Sequence, residues 1–198
     1  MKTVFFDVDT QLDFLYPAGA LYVPGAEKIV DSLAALTSYA SSNRILILST
    51  ADAHSEDDPE FKTWKPHCVA GTVGQQKTSG TLLNPAFVLG THDGAFDEIR
   101  SRVPDARQII VEKQTLDAFT NPHLRPLLDS LNPDRYVLYG VVSELCVRSA
   151  ALGLLETGAR VELVSDAIKS LSAPEERKFL DRFQAQGGQL TTVAEVTV

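Results

Sequence analysis

Tyr136-Val137-Leu138-Tyr139-Gly140-Val141-Val142-Ser143-Glu144-Leu145-Cys146-Val147 begins as an apolar, β-branched run, Tyr136–Val142, and turns at Ser143 into helical spacing. Val147, Ala150, Ala151 and Leu154 then share one helix face, and Gly158 closes the segment. A strand that feeds directly into a helix is the repeating unit of a parallel sheet, because parallel neighbours need a long crossover. Working outward, similar apolar runs recur at Val4–Val8, Ile45–Leu48, Ile109–Val111, Val161–Val164 and Leu190–Val193. One intervening helix follows Pro24-Gly25, with Ile29, Leu33, Leu36 and Ala40 on its inner face. Another opens at Ser172, where Pro174 and Glu175 suit the first turn and a capping box, and Gly187-Gly188 ends it. The alternation predicts an α/β fold with a six-stranded, mainly parallel sheet.

The chain has 198 residues, 44% hydrophobic and 22% charged, enough for one sizeable core. A single domain over residues 1–198 is expected. The formal net charge of −8 and the lack of any Lys/Arg cluster argue against nucleic-acid or anionic-membrane partners, and favour a small neutral or cationic ligand. The apolar N-terminal run is broken at Asp7, and no run approaches the ~18 residues of a membrane span. A cytoplasmic protein is expected. Two cysteines, Cys68 and Cys146, are too few for a disulfide framework and suit a reducing compartment.

Residues 51 to about 91 form a stretch too long for an ordinary connection, holding Asp52, His54, His67, Cys68 and the only tryptophan, Trp64. It is read as a metal-binding loop insertion. In doubly wound sheets ligands bind beyond the carboxyl ends of the strands, and Asp9, Asp52, Lys113 and the turn up to Cys146 all fall there.

Cys146 sits in what the spacing predicts as a first helical turn capped by Ser143, where the helix dipole lowers a thiol pKa. A free cysteine on an apolar helix is more often a small core residue, so its neighbours decide the matter. Asp9 and Lys113 each end an apolar strand, where a lone charge is costly. With a thiol they form a working set: a carboxylate can take the thiol proton while an ammonium favours both anions. Asp52 and His54, at i and i+2 of an extended segment, face the same way, and His67 follows after a loop. Glu60 offers a fourth oxygen donor. Mixed nitrogen and oxygen donors suit a divalent ion, with Zn²⁺ expected and Fe²⁺ or Mn²⁺ as alternatives. Phe14 and Trp64 can sandwich a flat ring beside that ion. Cys68, adjacent to His67 and pointing the opposite way, reads as packing, while His92 and His123 read as surface residues.

Val8-Asp9-Thr10-Gln11-Leu12-Asp13-Phe14 resembles the V-D-x-Q-x-D-F opening of nicotinamidases and isochorismatase-like hydrolases. Ala51-Asp52-Ala53-His54 and Trp64-Lys65-Pro66-His67-Cys68-Val69-Ala70-Gly71-Thr72 are similar to that family's D-x-H and W-x-x-H-C-V-x-G-T elements. Lys113 through Phe119 resembles its lysine segment, and Gly140 through Val147 its nucleophile turn. The resemblance implies a three-layer α/β/α fold and a cysteine hydrolase of small amides. Nicotinamide, hydrolysed to nicotinate and ammonia through a thioester, is the expected substrate. It also implies Cys146 as nucleophile, Asp9 as proton shuttle and Lys113 as the group that holds their charges. The backbone amides of Val142 and Cys146, next to a cis Val141–Val142 peptide, would form an oxyanion hole. The metal set of Asp52, His54, Glu60 and His67 would orient the substrate, with Phe14 and Trp64 flanking its ring. By analogy alone a homo-oligomer is expected. The chain departs from the nicotinamidase pattern in having Ser143-Glu144-Leu145 for Thr-Asp-[His/Tyr], Val142 for a frequent Ala, and one metal-site histidine fewer.

Within the resemblance, the alternative is an isochorismatase-like hydrolase or amidase acting on another small substrate. Outside it, Phe5-Phe6-Asp7-Val8-Asp9-Thr10 imitates the D-x-D strand end of haloacid-dehalogenase-type phosphatases. Thr10 comes one position early for that motif, however, and Cys146 and His67 would have no role.

Overall fold

Val4, Phe6 and Val8 alternate with Phe5 and Asp7, and the period of two sends the two sets to opposite faces of one strand. Both faces are buried in the computed structural model, which covers residues 1–198. Its strands are β1 (Thr3–Val8), β2 (Leu46–Asp52), β3 (Ala86–Leu89), β4 (Gln108–Lys113), β5 (Arg135–Val141), β6 (Arg160–Lys169) and β7 (Gln189–Thr191). They form one sheet in the order β3-β4-β2-β1-β5-β6-β7, and every pairing is parallel. The helices are α1 (Leu12–Leu15), α2 (Val30–Ser42), α3 (Ala95–Arg100), α4 (Leu124–Leu131), α5 (Arg148–Leu155), α6 (Ala173–Ala185) and α7 (Val193–Val196).

The helices divide between the faces according to what each strand presents. Val4, Phe6, Val8, Leu48, Tyr136 and Leu138 pack with apolar residues of α3, α4, α5 and α6. Phe5, Ile47, Val137, Tyr139 and Val141 pack with α1, α2 and α7. Burying a large apolar side chain contributes roughly 1.5–3 kcal/mol relative to exposure, so a strand with both faces apolar is stable only between two helical layers. The result is the three-layer α/β/α arrangement. No helix is long and apolar enough to cross a membrane.

The sheet has seven strands rather than the six expected from sequence. The additional one, β3, is a four-residue edge strand within the stretch read as irregular, and Val88 on it is exposed. An edge strand covered on one side needs no continuous apolar run, so its pattern is faint. Helix starts also differ. Ser143 does not cap a helix; Ser143–Val147 is a π-helical turn preceding α5, and the Ser143 hydroxyl is buried without a hydrogen bond. Ser172 precedes α6, but its side chain makes no cap and the capping box with Glu175 is absent. A capping box forms instead at Thr192 and Glu195, ahead of α7. At Ser143 the Leu145 and Val147 amides bond the neighbouring Val142 carbonyl, and at Ser172 the backbone N–H finds the distant Glu144 carboxylate.

The order of the strands sets the position of the site. β1 lies between β2 and β5, whose crossovers run to opposite sides, so a crevice opens beyond their carboxyl ends. Register then sets the neighbours: Asp52 on β2 pairs with Lys113 on β4, and Val8 pairs with both Thr50 and Gly140. Gly140 has φ +123°, and a Cβ there would lie 2.1 Å from the Val8 carbonyl oxygen. Only glycine lets β5 approach β1 this closely while carrying the chain on to Cys146.

Candidate active site

Asp9, which follows β1 with φ +50°, and Cys146 in the π-turn after β5 line one pocket, and the buried Lys113 at the end of β4 touches both. Lys113 Nζ lies 2.9 Å from Asp9 Oδ2 and 3.7 Å from Cys146 Sγ, donates to the Thr115 carbonyl at 3.0 Å, and bonds Asp52 Oδ1. Asp9 Oδ1 accepts a hydrogen bond from Thr50 Oγ1 at 2.6 Å. Lys113 is 1% exposed, and a buried ammonium is tolerable only with such partners. Burial opposes its charge, but Asp52 and Asp9 outweigh that and hold its pKa well above the ordinary lysine value. Burial lifts the Asp9 carboxyl above the usual range; Lys113 opposes the shift, and the Asp52 charge adds to it.

The thiol departs from the sequence-based expectation. Burial pushes Cys146 well above its ordinary pKa; Lys113 pulls it down, but nearby Asp9 and Asp52 push it up again. A sulfur 6% exposed among apolar groups gains less from a helix terminus than it loses in hydration. The neighbouring Asp9 carboxylate adds to this upward shift by favouring the protonated sulfur. The Val141–Val142 peptide is cis, as expected, and the Leu145 and Val147 amides both donate to the Val142 carbonyl at 3.1 Å.

Asp52, His54 and His67 form the second half of the site. The chain returns at Cys68–Ala70 to pair with His54, with His54 N–H donating to the Cys68 carbonyl and Ala70 N–H to the His54 carbonyl. That pairing sets the two histidine rings 4.8 Å apart. His54 Nε2 and His67 Nε2 lie 3.7 and 3.5 Å from the same oxygen, Asp52 Oδ2. A tetrahedral ion with bonds of about 2.0–2.1 Å holds its donors about 3.3 Å apart, so the set is close to ligating separation. Both ring nitrogens of buried His54 lack a hydrogen bond, so its Nε2 lone pair is free for a cation. His67 Nδ1 is hydrogen-bonded to the Lys65 carbonyl at 2.7 Å, and His54 Nδ1 lies 3.0 Å from Asp58 Oδ2 as an ion-pair contact. The Lys65 carbonyl places the His67 ring proton on Nδ1 and leaves Nε2 turned to Asp52. Asp9 and Asp52 also carry one negative charge more than Lys113 neutralises. The residues therefore fit a divalent ion.

Glu60 stands outside this three-residue set, which the structure brings together without it. It lies on a short 3-10 turn, Pro59–Lys62, and faces the same pocket, where burial and then the Asp52 charge raise its pKa. Phe14 and Trp64 both line the pocket, with the Phe14 ring 5.4 Å from that of His67. The remaining walls come from Leu21, Tyr22, Val23, Leu116, Val141, Val142, Leu145 and Leu171. Leu21 to Val23, Leu116, Leu145 and Leu171 were not singled out from sequence, and as scattered apolar loop residues they carry no local signal.

Two polar residues were also missed. Asp58 accepts from Glu60 N–H through Oδ1 and approaches His54 through Oδ2, which ties the 3-10 turn to the histidine. Its position immediately before Pro59 is a helix-start signal. Gln11 grips the backbone of Asp52 on both sides, donating to its carbonyl at 2.9 Å and accepting from its N–H at 2.7 Å. Replacing Asp58 with alanine is expected to weaken metal binding about 10–100-fold, the usual effect of losing a carboxylate behind a ligating histidine. Titration of the metal-loaded protein with a chelator measures this, and an unchanged midpoint would count against the role.

Asp7 has a different destination. Its carboxylate accepts from Lys77 Nζ at 2.7 Å and from Thr10 and Ser49 hydroxyls at 3.2 Å, and it does not line the pocket. The two aspartates of the apparent D-x-D do not converge, so the phosphatase reading loses its geometry. Cys68 is fully buried in the core, its N–H donating to Asp13 at 2.7 Å, and burial drives its thiol far above the ordinary pKa. The exposed His92 pairs with Glu98 at 3.2 Å, and His123 bonds the His92 carbonyl, both away from the pocket.

Comparison with known proteins follows the same lines. The isochorismatase domain family model matches residues 3–195. A maleamate amidohydrolase of Pseudomonas putida is 26% identical over 96% of this chain and 83% of its own length. A nicotinamidase of Saccharomyces cerevisiae is 24% identical, covering 87% of this chain and 89% of its own. The crystal structure of a Pyrococcus horikoshii pyrazinamidase in complex with zinc superposes with a TM-score of 0.80 at 26% identity, over 97% of this chain and 99% of that one.

Proposed function

The chain belongs to the isochorismatase domain family, and from that membership together with the site geometry we propose that it is a cysteine amidohydrolase of small neutral amides, with nicotinamide as its substrate. The observation that carries the reading is the meeting of Cys146, Asp9 and the buried Lys113 at a pocket that Asp52 and His67 of the Asp52, His54 and His67 set also line. Relatives in the family point to two kinds of amide, a carboxylate-bearing one and a neutral pyridine one. The pocket favours the second. Its charged lining residues are Asp9, Asp52 and Glu60, and the only buried cation within reach, Lys113, is already shared between two carboxylates. No side chain of the pocket is free to pair with a substrate carboxylate, which would have only the ion's own site to compensate it.

In the proposed mechanism the carboxamide lies over Cys146 with its ring between Phe14 and Trp64. Asp9 takes the thiol proton as sulfur attacks the carbonyl carbon. The raised pKa of Asp9 makes it a stronger base than an ordinary carboxylate. Lys113 balances the charge in both states, and the Val142 and Cys146 amides receive the developing oxyanion. Asp9 then gives the proton to departing ammonia, leaving a thioester at Cys146. Water, deprotonated by Asp9, hydrolyses the thioester and restores the thiol. A divalent ion, Zn²⁺ by preference, held by Asp52, His54 and His67 with Glu60 nearby, would supply a Lewis-acid anchor for a substrate lone pair. A single domain over residues 1–198, with residues 51–91 as its metal-bearing insertion, accounts for the whole site.

The test is ammonia release from nicotinamide and from maleamate by metal-loaded protein, before and after chelation. Nicotinamide is expected to turn over, maleamate to react poorly, and chelation to suppress the reaction. Absence of ammonia from nicotinamide would sink the substrate assignment, and full activity after metal removal would sink the role given to the ion.

A further inference from the structure

The nucleophile turn carries a carboxylate that the proposed mechanism does not use. Glu144 is 6% exposed, and its Oε1 accepts two backbone hydrogen bonds, from Leu171 N–H at 3.0 Å and Ser172 N–H at 2.8 Å. Those amides belong to the short connection between β6 and α6, where the expected Ser172 cap is missing. A carboxylate at this place satisfies amides that the helix leaves unpaired and complements its dipole. The link spans 27 residues of sequence and ties that connection to the turn holding Cys146. Leu171 itself lines the catalytic pocket while 47% exposed, so it forms part of the rim. A half-exposed apolar residue held at a rim gains burial only when a substrate covers it.

We propose that Glu144 is a positioning residue that holds Leu171 as the rim of the Cys146 pocket, and that Leu171 discriminates ring-bearing amides from smaller ones. The proposal rests on the reading of Cys146 as nucleophile. One five-residue turn then supplies three things: the sulfur from Cys146, an inner wall from Leu145, and the opposite-facing tether from Glu144 that places the rim. Nothing else fixes the two amides: Leu171 N–H and Ser172 N–H donate to Glu144 alone. Without the carboxylate both face solvent and Leu171 is free to swing away from the pocket.

The test compares Glu144→Ala, Leu171→Ala, Glu144→Gln and the double alanine variant. Each is assayed with nicotinamide and a short aliphatic amide, and by intact mass for alkylation of Cys146 with iodoacetamide and its bulkier N-benzyl analogue. Either single alanine variant is expected to raise KM for nicotinamide about tenfold with kcat nearly unchanged, the size of effect a lost apolar wall contact produces. The aliphatic amide should be unaffected, and the ratio of bulky to small alkylation should rise. Glu144→Gln keeps the acceptor oxygen and should behave as wild type. The double variant should be no worse than either single one, since both act on one contact. A Glu144→Ala loss of kcat shared by both amides with an unaltered alkylation ratio would overturn the proposal, as would additive effects in the double variant. Should Glu144→Ala fail to fold, Leu171→Ala with a wild-type alkylation ratio overturns it equally. If the wild type hydrolyses neither amide while the alkylation ratio still responds to both positions, the proposed function fails and the tether stands.

Discussion

Replacing Cys146 with alanine is expected to lower kcat for amide hydrolysis by on the order of 10⁴-fold or more, leaving fold and metal content unchanged. The size follows from how nucleophile, base and charge partner act as a unit, so that loss of the attacking atom removes nearly the whole effect of the set. No other lining residue can replace it: the remaining polar groups of the pocket are Asp9, Asp52, Glu60, Tyr22, Trp64 and His67. Tyr22 donates its hydroxyl to Glu27 at 2.5 Å and is thereby turned outward. Cys146→Ser should be almost as inactive, because a buried hydroxyl is harder for Asp9 to deprotonate than a thiol. The measurement is single-turnover ammonia release alongside circular dichroism and metal analysis. Retention of a tenth of wild-type activity in the alanine variant would remove Cys146 from the role of nucleophile.

Lys113→Met should be the most destabilising single change in the site. It removes the one cation shared by Asp9 and Asp52, two carboxylates that are almost completely buried. Breaking a buried pair costs about 3–5 kcal/mol, because the surviving charges keep their desolvation penalty and lose their compensation. In a chain of this size each kcal/mol shifts Tm by about 2–4 °C, so a fall of about 10 °C or more is expected in the metal-free protein. Added metal should restore part of it by neutralising Asp52, and turnover should stay abolished because Asp9 and the thiol have lost their charge partner. Thermal unfolding with and without metal separates these effects. A metal-free variant as stable as wild type would contradict the central electrostatic role given to Lys113. In pH terms, the raised pKa of Lys113 means that its stabilisation is fully present below the ordinary lysine value and is lost only as pH rises through the higher folded-state value. The difference between variant and wild type should therefore persist across neutral pH.

Much of this protein can be read from short-range pattern. The apolar runs locate β1, β2, β4, β5, β6 and β7, because strands buried on both faces must be apolar almost throughout, although β2 and β6 continue to Asp52 and Lys169 beyond their runs. The strand ends locate Asp9, Asp52 and Lys113 for the same reason: a charge at the end of a buried run must meet a partner, and parallel register gathers those ends in one crevice. The D-x-H spacing and the returning His67 segment are also local features, and the chain closes them into a metal-sized set. β3 and the caps at Ser143 and Ser172 are not legible in this way. A short edge strand has little pattern, a π-turn at Ser143 bonds its amides to the local Val142 carbonyl, and the Ser172 N–H that a capping box would have served is taken by the distant Glu144.

The sequence by itself determined which elements form, how they alternate, and which reactive residues stand at the strand ends, since these follow from side-chain periodicity and the cost of burying charge. Only the tertiary structure decided that burial raises the Cys146 pKa, that Asp58 and Gln11 brace His54 and Asp52, and that Leu21 to Val23 and Leu171 wall the pocket. Desolvation depends on everything packed around a group, and a pocket wall depends on which distant loops meet. Both are summed over neighbours remote in the chain, so neither is written in any local stretch of it.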